Sequence, residues 1–180
     1  CANGVGMFGM RIMMQSDAYS TVAKYSKHET EIAAPGVSSG VSIPANALLF
    51  LDASDANSYG GSGTTWTDLS DEGNHATLVN SPSYSSSDKW FDFVKTSSQH
   101  ATLPSGFADF TNGATFFFVA DLDAGDNWER LIDFSGGSST PFNVGRNQTT
   151  STLTLEYNDP NKLGTSSNII LSNTLASYCV

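Results

Sequence analysis

Short apolar runs separated by turn-forming residues constrain this chain more than any other feature. From residue 46 onward, runs of four to eight residues alternate with clusters of Gly, Asn, Asp, Ser and Pro. These residues tolerate positive φ or preset a turn. No helical period persists beyond one or two turns. The pattern predicts an all-β domain of many short strands, which is typical of an antiparallel sandwich or jelly roll.

Two of the predicted strands carry the most information. The run 115–120 is apolar on both faces, which predicts a strand in the middle of a covered sheet. The run 153–157 alternates, which predicts Leu153 and Leu155 inward and Thr154 and Glu156 outward. The full set of predicted strands is 48–51, 76–79, 90–94, 100–103, 114–121, 130–134, 142–144, 153–157, 168–171 and 177–180.

Residues 1–45 differ from the remainder and are predicted to form an N-terminal arm and linker, with the main domain at 46–180. Pro35, Gly36, Gly40 and Pro44 make the segment after residue 33 typical of a linker. The apolar, Met-rich run 7–14 is interpreted as an edge strand of this domain. Two alternatives are a strand of a preceding domain and a segment packed on a neighbouring subunit, since Met fills irregular interfaces.

The charge balance excludes two classes of partner. Eighteen acidic and eight basic residues give a net charge of −10, all of it in residues 46–180. Such a chain repels phosphate backbones and anionic headgroups, so we expect no nucleic-acid or membrane-surface binding. No apolar run approaches the ~18 residues of a membrane span, so no membrane insertion is expected. Charged residues make up only 14% of the chain, which favours a secreted or virion-type β protein.

The two cysteines, Cys1 and Cys179, stand at the ends of the sequence. A bridge between them would close nearly the whole chain into one loop. The alternatives are two unrelated thiols and, for Cys1, the first residue of a cleaved bacterial lipoprotein.

An ordered series of motifs gives the chain a family resemblance. Leu49-Phe50-Leu51-Asp52-Ala53-Ser54 is followed by Ser58-Tyr59 and by the block Gly61-Ser62-Gly63-Thr64-Thr65-Trp66-Thr67-Asp68-Leu69-Ser70. Next come Gly73-Asn74-His75-Ala76-Thr77-Leu78, Ser81-Pro82-Ser83-Tyr84 and the strands around Phe91-Asp92-Phe93 and Gln99–Pro104. Over residues 47–134 this series resembles laminin-G-like, concanavalin A-like jelly-roll domains of phage or viral structural proteins and bacterial surface proteins. The resemblance implies a two-sheet antiparallel β-sandwich. The family's last strands have no counterpart, so we expect a domain incomplete at its C-terminal end and a longer natural chain.

Catalytic patterns are weak in this sequence. Glucanase relatives of the fold place carboxylates at alternate positions on one strand, because acid and nucleophile flank the glycosidic bond. The nearest pairs here are Glu29 with Glu31, outside the resembling region, and Glu156 with Asp159, across a turn. The three histidines stand apart, without zinc-like spacing. We therefore expect a protein that is not an enzyme.

An acidic loop is the strongest candidate site. Asp121, Asp123 and Asp126 supply oxygen ligands of the kind calcium takes, and laminin-G-like domains often hold one calcium at a sheet rim. Trp128 and Asn127 in the same loop could bind carbohydrate by stacking and hydrogen bonding. The alternatives are a solvated hairpin tip and a Trp folded back on the sandwich rim.

These features predict a non-enzymatic binding module on a virion or cell surface that recognises carbohydrate or a surface protein. The alternative is a structural decoration of a phage capsid, tail or filament, anchored to neighbouring subunits through residues 1–45. Either function predicts a virion-surface or extracellular location and a homo-oligomer or larger assembly.

Overall fold

The fold is all-β in the part of the chain that the computed structural model describes. That part comprises residues 7–8, 11–15, 43, 45–106, 115–122, 129–134, 142–146, 148–157, 162–164 and 176–179. Within it, the only helix is a single 3₁₀ turn at Lys95–Ser97. All the strand pairings there are antiparallel. The all-β prediction is therefore confirmed for these residues.

Fourteen strands in this part of the chain form four sheets. The two larger sheets have the orders β14-β9-β2-β3 and β10-β11-β12-β13, and the two smaller ones β1-β7-β6 and β4-β5-β8. The strands are β1 Met7–Phe8, β2 Arg11–Gln15, β3 Ala47–Asp52, β4 Thr65–Trp66, β5 Ala76–Val79, β6 Ser83–Ser85, β7 Trp90–Asp92, β8 His100–Thr102, β9 Thr115–Ala120, β10 Arg130–Asp133, β11 Phe142–Arg146, β12 Leu153–Tyr157, β13 Lys162–Gly164 and β14 Ala176–Cys179.

Strand β9 has the central position that its apolar run predicts, because it pairs with β14 on one side and β2 on the other. On one face Phe116, Phe118 and Ala120 are almost completely buried. The residues of the other face are half-buried. The strand is therefore covered on both faces, but unequally.

Residues 7–8 of the Met-rich run form β1, which lies at the edge of its sheet as expected, but strand β2 corrects the expectation for residues 11–14. It lies between β3 and β9 and pairs with both, so that Ile12 stands opposite Leu51 on one side and Phe118 on the other. An edge strand would have one neighbour. An apolar composition indicates that a strand is buried, but it does not indicate which strands lie on either side of it.

Strand β12 corrects a second expectation. Thr154 and Glu156 are buried, at 2% and 6% exposure, although the alternation predicted them outward. Neighbouring strands supply polar partners on that face: Asn143 stands opposite Glu156, and Arg130 forms an ion pair with it. Polar residues thus line a covered face here.

Aromatic contacts join the sheets into one core. Phe91 lies at the centre of one group, with its ring centroid 4.6 Å from Tyr59, 4.8 Å from Trp66 and 5.2 Å from Tyr84. In a second group, Phe116 of β9 lies 5.6 Å from the ring of Phe142 of β11, which connects the two larger sheets. Trp66 is fully buried in this core, whereas Trp90 is only half-buried.

The predicted strand bounds are exact at β5 and β12 and agree within one or two residues at β3, β7, β8, β9, β10, β11 and β14. Strands β6 and β13 lie in the segments 81–88 and 158–164, whose Ser, Asn, Asp, Pro and Gly residues predict turns. The predicted strand at 168–171 lies outside the described residues, as does Cys1 of the possible disulfide.

Candidate functional site

The motifs that carry the family resemblance build a hydrogen-bonded corner around Asp68. This carboxylate is 4% exposed and accepts hydrogen bonds from four donors. The donors are the backbone N–H of Phe50 (2.7 Å), Ser70 (3.0 Å) and Asn74 (2.8 Å), and the Ser70 hydroxyl (2.6 Å). Asp68 therefore ties the loop that follows β4 to strand β3.

The remaining motif residues extend the same corner. The Ser58 hydroxyl accepts from the Asp52 N–H and donates to the Thr67 carbonyl at 2.6 Å. His75 Nδ1 accepts from the Asp68 N–H, and Asn74 donates its side-chain amide to the Leu48 carbonyl. These contacts explain why such residue types occur at these positions. These groups are partnered by other groups of the chain, so they stabilise the local fold.

Two tyrosines next to this corner donate hydrogen bonds to backbone carbonyls, and the pKa of each is raised. Tyr59 donates to the Gly63 carbonyl at 3.0 Å, and Tyr84 donates to the Ala53 carbonyl at 2.9 Å. Burial raises the pKa of Tyr59. Burial also raises the pKa of Tyr84, with smaller contributions from Tyr59 and Asp52. Both rings favour the neutral phenol in the folded chain.

Most of the predicted acidic-loop site lies outside the described residues. This applies to Asp123, Asp126, Asn127 and Trp128, whereas Asp121 is described and half-buried just after β9. Strands β9 and β10 belong to different sheets. The connection between them is therefore a crossover from one sheet to the other, and not the hairpin tip weighed from the sequence.

No metal centre is assembled by the described residues alone. Among them, no group of three His, Cys, Asp or Glu side chains is placed to hold an ion. Two of the three candidate ligands, Asp123 and Asp126, lie outside the described residues. Calcium binding stays a prediction.

A buried ion pair fixes the point where this connection enters β10. Arg146 is 1% exposed, and its Nε donates to the Glu129 carboxylate. Its Nη1 donates to the Thr150 carbonyl at 3.1 Å, and its backbone N–H donates to the Glu129 carbonyl at 2.8 Å. One arginine thus holds both the start of β10 and the turn after β11.

The sheet β10-β11-β12-β13 carries a layer of polar side chains that the sequence did not predict. We call this layer the polar face: Arg130, Asp133, Asn143, Thr154 and Glu156. Strand register places Asp133 opposite Asn143, and Asn143 opposite Glu156. Gly145 stands opposite Arg130 on one neighbouring strand and opposite Thr154 on the other. All five residues therefore lie on one side of the sheet.

Residues of the polar face contact one another, and their side chains range from exposed to buried. Glu156 Oε2 accepts from Asn143 Nδ2 at 2.9 Å and lies 3.5 Å from Arg130 Nη2. Arg130 and Asp133 are exposed, while Asn143, Thr154 and Glu156 are buried. Within the described part of the chain, the buried Thr154 Oγ1 has no hydrogen-bond partner. The layer therefore joins an exposed polar edge to a desolvated polar interior.

The sequence held a partial signal for this layer. Polar residues alternate along 153–157, but their partners Arg130 and Asp133 lie more than twenty positions away. Cross-strand pairing cannot be obtained from one strand's pattern. Only the register brings these residues together.

Comparisons with known proteins find no match to this chain. No protein-family model matches the chain, and neither does a curated protein or a solved structure. In the part that the structure describes, no helix is both long and apolar enough to cross a membrane.

Proposed function

We propose that the protein is a non-enzymatic binding module, displayed on a virion or cell surface, that recognises carbohydrate. In this proposal the small antiparallel sheets belong to a two-sheet jelly-roll sandwich. The observation that carries the proposal is the polar face on β10, β11 and β12, because it gathers hydrogen-bonding groups of several kinds on one side of a sheet.

The chemistry of the polar face suits sugar hydroxyls. Each hydroxyl both donates and accepts, so it pairs with carboxylates, which accept, and with a guanidinium, which donates. Asp133 and Arg130 supply these groups at the exposed edge of the layer. Hydrogen bonds to charged groups are stronger than those between neutral groups, and a partly desolvated position strengthens them further.

The predicted loop leads directly into this face. Trp128 precedes Arg130 by two positions, and Asn127 precedes Trp128. An aromatic ring offers an apolar surface on which a sugar ring stacks, while an asparagine amide both donates and accepts. The proposal assigns the stacking contact to Trp128 and a hydroxyl contact to Asn127.

Calcium is proposed as an accessory ion. Asp121, Asp123 and Asp126 would provide carboxylate oxygens, which calcium prefers. An ion there would offset part of the net charge of −10. It would also fix the loop that carries Trp128.

A glycan-array screen tests this proposal. The full chain is applied in buffer with calcium and in buffer with EDTA, alongside Trp128→Ala, and circular dichroism verifies that each sample is folded. We expect selective binding that weakens at least tenfold with EDTA and with the Trp128 substitution.

Each contrary outcome has its own meaning. Binding that survives EDTA would contradict the calcium site, and binding that survives Trp128→Ala would contradict the stacking contact. A folded protein that binds no glycan on the array would contradict carbohydrate recognition and favour the structural role in a capsid, tail or filament.

A further inference from the structure

The N-terminal strand β2 completes a sheet from a position that is remote in sequence. It pairs along all five of its residues with both β3 and β9. In the described part of the chain, β3 has no other strand partner. Three consecutive residues of β3, Leu49, Phe50 and Leu51, are at most 3% exposed. Without β2, the sheet would have an open slot beside a strand that is built for burial.

The connection from β2 to β3 is unlike that of an ordinary hairpin. Adjacent antiparallel strands are usually joined by about two to five residues, whereas the whole of residues 16–46 separates Gln15 from Ala47. That segment contains Pro35, Gly36, Gly40 and Pro44. A long connection lowers the effective concentration of the strand at its own slot. It also gives the strand enough reach to enter the slot of another copy.

The arm itself is electrically neutral. Residues 1–45 have three basic and three acidic side chains, whereas residues 46–180 carry the net charge of −10. The arm therefore adds no net repulsion to its own contact with another copy, although the two acidic bodies repel each other. Exchanging an identical segment between copies re-forms the same contacts, so it needs no new interface chemistry.

We propose that β2 is an exchangeable strand: residues 11–15 of a second copy of this chain occupy the slot between β3 and β9, and link copies into a dimer or a longer assembly. The occupant is another copy because the slot already accepts all five residues of this sequence, in continuous register with β9 and with a single register shift against β3 between Met14 and Gln15. The inference is independent of carbohydrate binding.

Disulfide trapping between two full-length variants tests the exchange. Gln15 stands opposite Thr115 across β2 and β9, and directly opposed residues are within disulfide reach. One chain carries Gln15→Cys and the other Thr115→Cys, both with Cys1→Ser and Cys179→Ser. The two are unfolded together, refolded at high concentration and oxidised. As a matched control, Gln15→Cys is mixed with Ser87→Cys, whose position is exposed in the turn between β6 and β7 and is not paired with β2.

We expect a disulfide-linked dimer from the Gln15 and Thr115 pair, at least tenfold above the control, on a non-reducing gel. A double variant with both substitutions in one chain reports the intrachain geometry. Crosslinking in that variant, with no dimer from the mixed chains, would overturn the proposal. If the first pair fails to fold, Arg11→Cys and Val119→Cys repeat the test at the other end of β2.

Discussion

At the scale of single residues, Asp68 shows how one buried carboxylate organises a loop. Its four hydrogen-bond donors come from three different residues, two of them in the loop after β4 and one on β3. Removing the carboxylate leaves three backbone N–H groups without their acceptor in a mostly buried place. Each unsatisfied buried donor costs about 1 to 3 kcal/mol.

We therefore expect Asp68→Ala to lower the free energy of unfolding by about 3 to 5 kcal/mol. Urea denaturation followed by tryptophan fluorescence measures the change. Asp71→Ala is the matched control, because Asp71 is exposed in the same loop and should change the value by about 0.5 kcal/mol or less. Equal losses from the two substitutions would contradict the role assigned to Asp68.

The buried tyrosines make a pH-dependent contribution. Because the pKa of Tyr59 is raised above 10.0, the folded chain retains its phenolic proton at a pH where the unfolded chain releases it. This contribution to stability is fully present below pH 10.0 and is lost as pH rises through the folded-state pKa. The free energy of unfolding should therefore fall above pH 10.0.

Tyr59→Phe separates this effect from packing. The substitution removes the hydrogen bond to the Gly63 carbonyl, so we expect a loss of about 1 kcal/mol at neutral pH. It also removes one titrating group, so the alkaline fall should become shallower. Urea denaturation at a series of pH values measures both effects. An unchanged alkaline slope would show that Tyr59 does not contribute to it.

At the scale of elements, local pattern and long-range pairing contribute differently. The bounds of β5 and β12 follow directly from runs of apolar and alternating residues. Strands β6 and β13 are three residues each; β6 is mostly serine and β13 ends in a glycine within a turn-rich segment, so their local pattern indicates loops. Their strand state depends on a neighbour that supplies the hydrogen bonds.

The same distinction explains the errors on the larger strands. The inward and outward faces of β12 were inferred from polarity alone, yet Asn143 and Arg130 on other strands make burial of Glu156 tolerable. The central place of β2 depends on β9, which is some hundred positions away in sequence. Neither feature is encoded in a local period of the chain.

The join between β10 and β11 depends on a glycine. A Cβ added to Gly145 would collide with the backbone carbonyl of Glu129, and backbone cannot move aside as a flexible side chain can. We expect Gly145→Ala to lower the free energy of unfolding by about 2 to 3 kcal/mol, in the range for overpacked sites.

Thermal and urea denaturation of Gly145→Ala would measure this loss. Gly60→Ala is the matched control, because a Cβ there would meet only the Ala56 carbonyl at 4.0 Å. The control should leave stability almost unchanged. A Gly145→Ala variant with an unchanged free energy of unfolding would contradict the close approach of β10 and β11.

At the scale of the whole molecule, the hydrogen-bonded motifs of the scaffold and the polar face that we propose for recognition lie on different parts of the chain. The motifs between residues 47 and 104, which suggested a family, are used within the fold as hydrogen-bond partners and core. The polar face lies on the later strands β10 to β12. The sequence alone predicted the fold class because turn residues and apolar runs are local. It predicted a site only in the loop 121–128, because the polar face depends on register.

Ligand contact by the polar face is tested most directly by one matched comparison on the glycan array, Asp133→Asn against Asp71→Asn. Both residues are exposed aspartates, and each substitution removes one negative charge with little change of shape. We expect Asp133→Asn to weaken binding at least tenfold and Asp71→Asn to leave it unchanged. Equal binding by the two variants would contradict recognition through the polar face.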